Sequence, residues 1–120
     1  MVLSSDIVSF NTPPLDLVVT PSNNANNVDF YPLLSWTDNN NYIYRYDVYF
    51  GNSIDNLILV SEYQTEKYFD LFNVQMIFYP LQNYYWKIVY RYYDMTIYES
   101  EIFKFTTKDI EFINIYPENN

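Results

Sequence analysis

The feature that most constrains this chain is a period-two alternation of side chains in two long segments, Tyr42–Gly51 and Tyr84–Tyr93. In each segment every second side chain is large and apolar, and lysine, arginine or aspartate stand among the side chains between them. Successive side chains of a β-strand point to opposite faces of its sheet, so the pattern predicts two strands that each bury one face. On the inward faces it places Tyr44, Tyr46, Val48 and Phe50, then Tyr84, Trp86, Ile88 and Tyr90.

Five further segments also have strand character, and asparagine-rich turns separate several of them. Pro32 has no N–H to donate to a ladder, so it must lie at an edge or at a strand start. No helical stripe is sustained anywhere, so the sequence predicts an all-β fold with seven short strands, typical of an antiparallel sandwich. A compact barrel would give the same periodicity and stays an alternative. The five segments are Asp16–Pro21, Phe30–Thr37, Leu57–Tyr63, Lys67–Asn73 and Glu99–Thr107.

The composition excludes several classes of function. With 15 acidic and 6 basic residues the net charge is −9, which disfavours binding to nucleic acid or to an anionic membrane surface. The chain has no histidine and no cysteine, so Ser-His and Cys-His nucleophile pairs cannot be built. A single glycine rules out a glycine-rich phosphate loop. We therefore expect no enzyme activity and no cofactor.

Metal binding and membrane insertion are also disfavoured. A sandwich can bring Asp29, Asp38 and Asp55 to one end, but they lack the close alternating spacing of a calcium loop, so we interpret them as solvated turn residues. The first ten residues have neither the basic start nor the apolar run of a signal peptide, and no stretch has the ~20 apolar residues that span a bilayer.

Four motifs occur in order along the chain at the spacing of sandwich strands. Together they resemble the fibronectin type III family, in particular its bacterial members. The resemblance implies a seven-stranded antiparallel immunoglobulin-like sandwich and a non-catalytic module, at the cell surface or outside the cell. The motifs are Leu34-Ser35-Trp36, Tyr46-Asp47-Val48-Tyr49-Phe50-Gly51, Phe78-x-Pro80-x-x-x-Tyr84-x-Trp86-x-Ile88 and Phe103-Lys104-Phe105-Thr106-Thr107.

The resemblance also assigns structural roles to individual residues. It implies that Trp36 lies in the core and that the Tyr84 hydroxyl bonds to nearby backbone at a corner that includes Pro80. Phe78 occupies the position where the family has a leucine. The Arg-Gly-Asp integrin-binding sequence of the family is absent, so that adhesive role is not implied.

The two ends of the chain resemble each other at a separation of about one domain. Ser4–Thr12 is similar to Glu99–Thr107, and Leu17–Asn24 is similar to Ile113–Asn120. This predicts a fragment of a tandem array: residues 1–14 as the trailing strand of a preceding repeat plus linker, 15–108 as one domain, and 109–120 as the start of a following repeat. An isolated Ser4–Thr12 strand would either pair with another molecule or remain a flexible tail.

The outward face of the third and sixth predicted strands is the candidate binding surface. Its aromatic side chains, with Arg45, Lys87 and Arg91 beside them, have the character to stack on sugar rings or to contact a partner domain. The alternative is that they stabilise the sheet through cross-strand pairs. The chain is thus predicted to be a structural or adhesive spacer that contacts neighbouring domains, with a carbohydrate-binding module of a glycoside hydrolase as the alternative. The surface comprises Ile43, Tyr49, Tyr85, Val89 and Tyr93.

Overall fold

The computed structural model describes residues 17–38 and 42–110, and these residues form strands with one short 3-10 helix, Leu71–Asn73. No helix among them is long and apolar enough to cross a bilayer. The predicted Ser4–Thr12 strand lies outside the described residues. The strands are β1 (Val18–Thr20), β2 (Ala25–Val28), β3 (Leu33–Thr37), β4 (Ile43–Gly51), β5 (Ile58–Gln64), β6 (Tyr68–Asp70), β7 (Asn83–Tyr92), β8 (Ile97–Glu99) and β9 (Phe103–Thr107).

The strands form two sheets that pack as a sandwich. The larger sheet has six strands in the order β2-β9-β7-β4-β5, with β8 also paired to β7. The smaller sheet has three strands in the order β1-β3-β6. The predicted all-β sandwich is therefore confirmed. The expectation of antiparallel pairing throughout is wrong at one place, because β2 pairs with β9 in parallel.

The described residues contain nine strands rather than the predicted seven, for two local reasons. The predicted strand Glu99–Thr107 is divided, because Ser100 replaces a ladder partner: its hydroxyl accepts the Ile88 N–H at 3.0 Å while its own N–H donates to the Ile88 carbonyl at 2.8 Å. The second reason is β2, which forms within a segment predicted as an asparagine-rich turn.

Two predicted strands are shorter than expected. The strand predicted from Phe30 begins only at Leu33, directly after Pro32, which has no N–H for a ladder bond. The strand predicted to run to Asn73 ends at Asp70, whose carboxylate accepts the Phe72 N–H at 3.0 Å and so caps the 3-10 helix.

Aromatic side chains from both sheets form the centre of the core. Trp36 from the smaller sheet is 2% exposed, and its ring centroid lies 6.2 Å from that of the fully buried Trp86. Trp36 also meets Tyr46 edge-on at 5.4 Å, so the two sheets are joined through this contact. The predicted burial of Trp36 and Trp86 is confirmed. Full burial of a large apolar side chain contributes about 1.5–3 kcal/mol to the free energy of folding.

The corner before β7 has the hydrogen bond that the resemblance implies. The Tyr84 hydroxyl accepts the backbone N–H of Tyr79 at 2.9 Å. Phe78 is buried and stacks on the Tyr84 ring with centroids 4.4 Å apart, so it fills the position expected for a leucine, and Pro80 lies half-buried after it. Burial raises the pKa of Tyr84.

The chain enters the sandwich at one end and leaves it at the other. Val18 of β1 pairs with Thr37, the last residue of β3. Ile43, the first residue of β4, lies near this point and pairs with Tyr92 at the end of β7. This is the leading end. At the opposite end of β7, Asn83 pairs with Thr106. We call this the trailing end, because the chain leaves the last strand here.

Candidate functional site

The structure places the five predicted surface residues in different environments. Tyr49 and Tyr85 lie half-buried on the outer face of the larger sheet, and Tyr93 is 67% exposed. Val89 pairs with Asp47 outside the core cluster but is only 8% exposed, so it offers little surface to a ligand. The assignment of Ile43 to this face is wrong.

Ile43 belongs to the core cluster because the strand register shifts next to it. The pairing of β4 with β7 is irregular between Ile43 and Arg45, which reverses the alternation at that point. Ile43 is consequently 9% exposed and packs in the core, and Tyr44, predicted to face inward, is instead only half-buried.

A buried ion pair lies at the centre of the outer face. Asp47 is 3% exposed, and one of its carboxylate oxygens lies 2.7 Å from an Arg91 Nη atom. The other oxygen accepts the backbone N–H of Tyr63 at 2.7 Å and faces Arg91 Nε at 3.4 Å. The hydrogen bond with Asp47 raises the pKa of the Arg91 guanidinium. The ion pair therefore joins β4, β5 and β7 laterally.

Aromatic and guanidinium groups cover this ion pair. The Arg45 and Arg91 guanidinium carbons lie 5.0 and 5.4 Å from the Tyr63 ring centroid. The Tyr44 and Tyr63 hydroxyls are 3.0 Å apart, and the Tyr44 ring stacks on that of Tyr93 at 4.9 Å. The hydrogen bond with Tyr63 is the main cause that raises the pKa of Tyr44, and burial raises this pKa further. We call these five residues the tyrosine–arginine cluster.

The remainder of the outer face is also paired across strands. Lys87 Nζ lies 2.6 Å from a Glu99 carboxylate oxygen and 5.0 Å from the Tyr49 ring centroid. Tyr85 pairs with Lys104 of β9. Cation–π contacts at exposed sites contribute about 0.5–1 kcal/mol each. Many of the charged and aromatic side chains of the predicted binding surface are thus in contact with neighbouring strands.

The three aspartates considered for calcium are not brought together. The Asp38 side chain is 1% exposed, accepts the Tyr46 hydroxyl at 2.6 Å and lies 3.5 Å from Lys67 Nζ at the leading end. Asp29 pairs with Lys108 at 3.1 Å, and Asp55 lies in the loop after β4, both at the trailing end. In residues 17–38 and 42–110, no group of three or more histidine, cysteine or carboxylate side chains is placed to hold a metal.

One open pocket of about 200 Å³ lies beside the start of β1 and the segment that joins β8 to β9. Pockets for small-molecule ligands are typically ~300–1,000 Å³, so this one is small for such a ligand. Its two carboxylates, of Glu99 and Glu101, lie on either side of Ser100 in sequence, and the Glu99 carboxylate is paired with Lys87. The lining residues are Leu17, Tyr90, Glu99, Ser100, Glu101 and Phe103.

No protein-family model matches the chain, and no curated protein matches it. Among solved structures the fold is similar to part of the Streptomyces avermitilis alpha-L-rhamnosidase complexed with L-rhamnose, with a TM-score of 0.51 and 15% sequence identity. The similarity covers 78% of this chain and 10% of that chain. At this identity the likeness shows the fold alone, and the matched region is only a small part of the rhamnosidase chain.

Proposed function

We propose that this chain contains a non-catalytic, fibronectin type III-like spacer module of a larger multidomain protein, located at the cell surface or outside the cell. One observation carries the proposal: the chain enters at the leading end beside Thr37 and leaves at the trailing end beside Asn83. A domain with its termini at opposite ends continues a linear array, because the next domain begins where the previous one stops.

The arrangement of the sheets supports an immunoglobulin-like topology. The smaller sheet β1-β3-β6 faces a larger sheet in which β4 and β7 are central and β5 lies at the edge. The parallel strand β2 is an addition at the other edge. The corner bond between Tyr79 and Tyr84, together with the buried Trp36, agrees with the resemblance found in the sequence.

The chemistry of the outer face supports a non-catalytic role. Asp47, the carboxylate at the centre of this face, is buried and held in an ion pair with Arg91. An acid or base that takes part in catalysis must instead reach a substrate proton.

The parent reading frame tests the spacer proposal. Further domains of about 100 residues with this strand pattern on either side of the chain would support it. A reading frame that encodes only this domain would refute it.

A second candidate is an accessory carbohydrate-binding module of a glycoside hydrolase. It is favoured by the fold similarity to part of an alpha-L-rhamnosidase and by the outward Tyr49 and Tyr85. A glycan array and titration with L-rhamnose test it. If the candidate is correct, Tyr49→Ala and Tyr85→Ala each weaken binding while changing the free energy of unfolding by less than about 1 kcal/mol. Absence of any signal for the wild type would exclude it.

A further inference from the structure

Leu81, at the trailing end, occupies a position that is unfavourable for leucine for two reasons. It follows Pro80 in a turn and has a φ of 54°, in the left-handed region that favours glycine or asparagine. Its residue surface is also 65% exposed. Its N–H donates to the Lys108 carbonyl at 3.3 Å, a bond that any residue except proline makes equally well. Neither its backbone conformation nor this hydrogen bond therefore requires a leucine side chain.

Leu81 belongs to an apolar patch at the point where the chain leaves the sandwich. Phe72 is 72% exposed, Ile77 69% and Tyr79 58%. Phe72 stacks on Tyr31 with ring centroids 5.2 Å apart. Phe72, Ile77, Tyr79 and Leu81 form the trailing patch. Several exposed apolar side chains at one end of a soluble domain are a feature that a contact with another protein would explain.

The leading end has the same combination of features. Met95 has a φ of 76° and is 77% exposed. Beside it Tyr42 is 71% and Tyr93 67% exposed, and the Tyr93 N–H donates to the Tyr42 carbonyl at 2.9 Å. These three residues form the leading patch. A methionine side chain adapts its shape to a partner surface, which suits it to a docking site.

We infer that the trailing patch of one domain docks on the leading patch of a second copy, head to tail. The inference rests on the proposed function, in which a following repeat with a similar leading end takes the place of the second copy. The sequence that resembles the start of this domain begins at Ile113, and an extended linker from Lys108 to Ile113 reaches only about 17 Å. A following domain would thus begin directly beside the trailing patch, with its own leading end facing it.

A head-to-tail contact uses two different surfaces, so it can continue from one molecule to the next. The isolated chain is therefore expected to form short linear oligomers as its concentration rises. A symmetric contact would instead stop at the dimer. This difference allows variants at the two ends to be combined in one experiment.

The test is sedimentation velocity of the full 120-residue chain from micromolar to about millimolar concentration, with Leu81→Asn and Met95→Asn as variants. Asparagine tolerates positive φ, so both variants retain the backbone while losing the apolar side chain. Each variant alone should self-associate about tenfold more weakly than the wild type. Their equimolar mixture should recover dimers and nothing larger, because Leu81→Asn keeps an intact leading patch and Met95→Asn an intact trailing patch.

Ile58→Thr is the matched control, because Ile58 is 52% exposed on β5 and lies outside both patches. It should associate like the wild type. A wild type that stays monomeric to about 1 mM would overturn the docking inference. It would leave the spacer proposal standing if the parent reading frame holds repeats.

Two other outcomes also overturn the inference. If the mixture of variants does not recover dimers, the contact is not head to tail. If both variants associate normally while removal of residues 1–12 abolishes association, the contact is made by the terminal segment instead. A parent reading frame without repeats, combined with recovered dimers, would refute the spacer role and leave the docking contact in place.

Discussion

Replacing Asp47 by alanine should destabilise this domain by about 2–5 kcal/mol, a large effect for a charged residue on an outer sheet face. The carboxylate is 5% exposed and holds two donors, the Arg91 guanidinium and the Tyr63 N–H. Without it, the Tyr63 N–H loses its acceptor in a partly buried position, a loss that costs about 1–3 kcal/mol.

The Arg91 share of this cost is smaller than in a fully buried ion pair. The Arg91 side chain is 24% exposed, so after the substitution the guanidinium can reorient toward water. We assign about 1–2 kcal/mol to this loss. Asp47→Asn keeps an oxygen that can accept the Tyr63 N–H, so it should cost only that smaller part.

A double-mutant cycle separates the ion pair from the rest. Asp47→Asn, Arg91→Met and the double variant are unfolded in urea while the fluorescence of Trp36 and Trp86 is followed. Methionine retains most of the apolar stem that Arg91 packs against its neighbours. The coupling free energy should be about 1 kcal/mol or more. A coupling below about 0.5 kcal/mol, or an Asp47→Ala cost below about 1 kcal/mol, would refute the reasoning.

Three further predictions concern the core. Trp36→Ala should cost about 3–5 kcal/mol in urea melts, because it empties a buried aromatic site, and Trp36→Phe should cost less; equal costs would contradict this. Tyr84→Phe should cost about 1–2 kcal/mol, because the Tyr79 N–H loses its acceptor, and a neutral result would exclude a role for the corner bond. Burial raises the pKa of Tyr46 and Tyr90 above 10.0, so both stay protonated in the folded state where the unfolded chain ionises. Their contribution to the free energy of unfolding is complete below pH 10 and is lost as the pH rises above it, by up to about 1.4 kcal/mol per pH unit for each group. Tyr46→Phe should flatten this decline.

The sequence predicted the inward faces of the long strands where the ladder is regular. Tyr46, Val48 and Phe50 are buried at alternate positions of β4, as are Tyr84, Trp86 and Ile88 of β7. Asn24 and Asn27 also adopt a positive φ, a conformation that asparagine tolerates better than most residues. In these cases the conformational preference of the residue type agrees with its position in the backbone, so the sequence alone indicates the structure.

The features that the sequence did not reveal depend on lateral register or on disfavoured backbone. Nothing in the order of residues shows that Asp47 reaches Arg91 and the Tyr63 N–H, because that contact is fixed by how three strands align. The shift beside Ile43 follows from an irregularity in one ladder. Leu81 and Met95 occupy positive-φ positions that neither residue type signals, so only the backbone reveals them.

Stability and association depend on different parts of this molecule. On the outer face, charged and aromatic groups satisfy one another, as in the tyrosine–arginine cluster, so substitutions there should change the free energy of unfolding. At the two ends, Leu81 and Met95 are exposed and lie in disfavoured backbone. Positions where local preference is contradicted tend to be functional. Substituting asparagine at either end should therefore preserve or raise the melting temperature while reducing self-association, the opposite of the effect expected at Asp47.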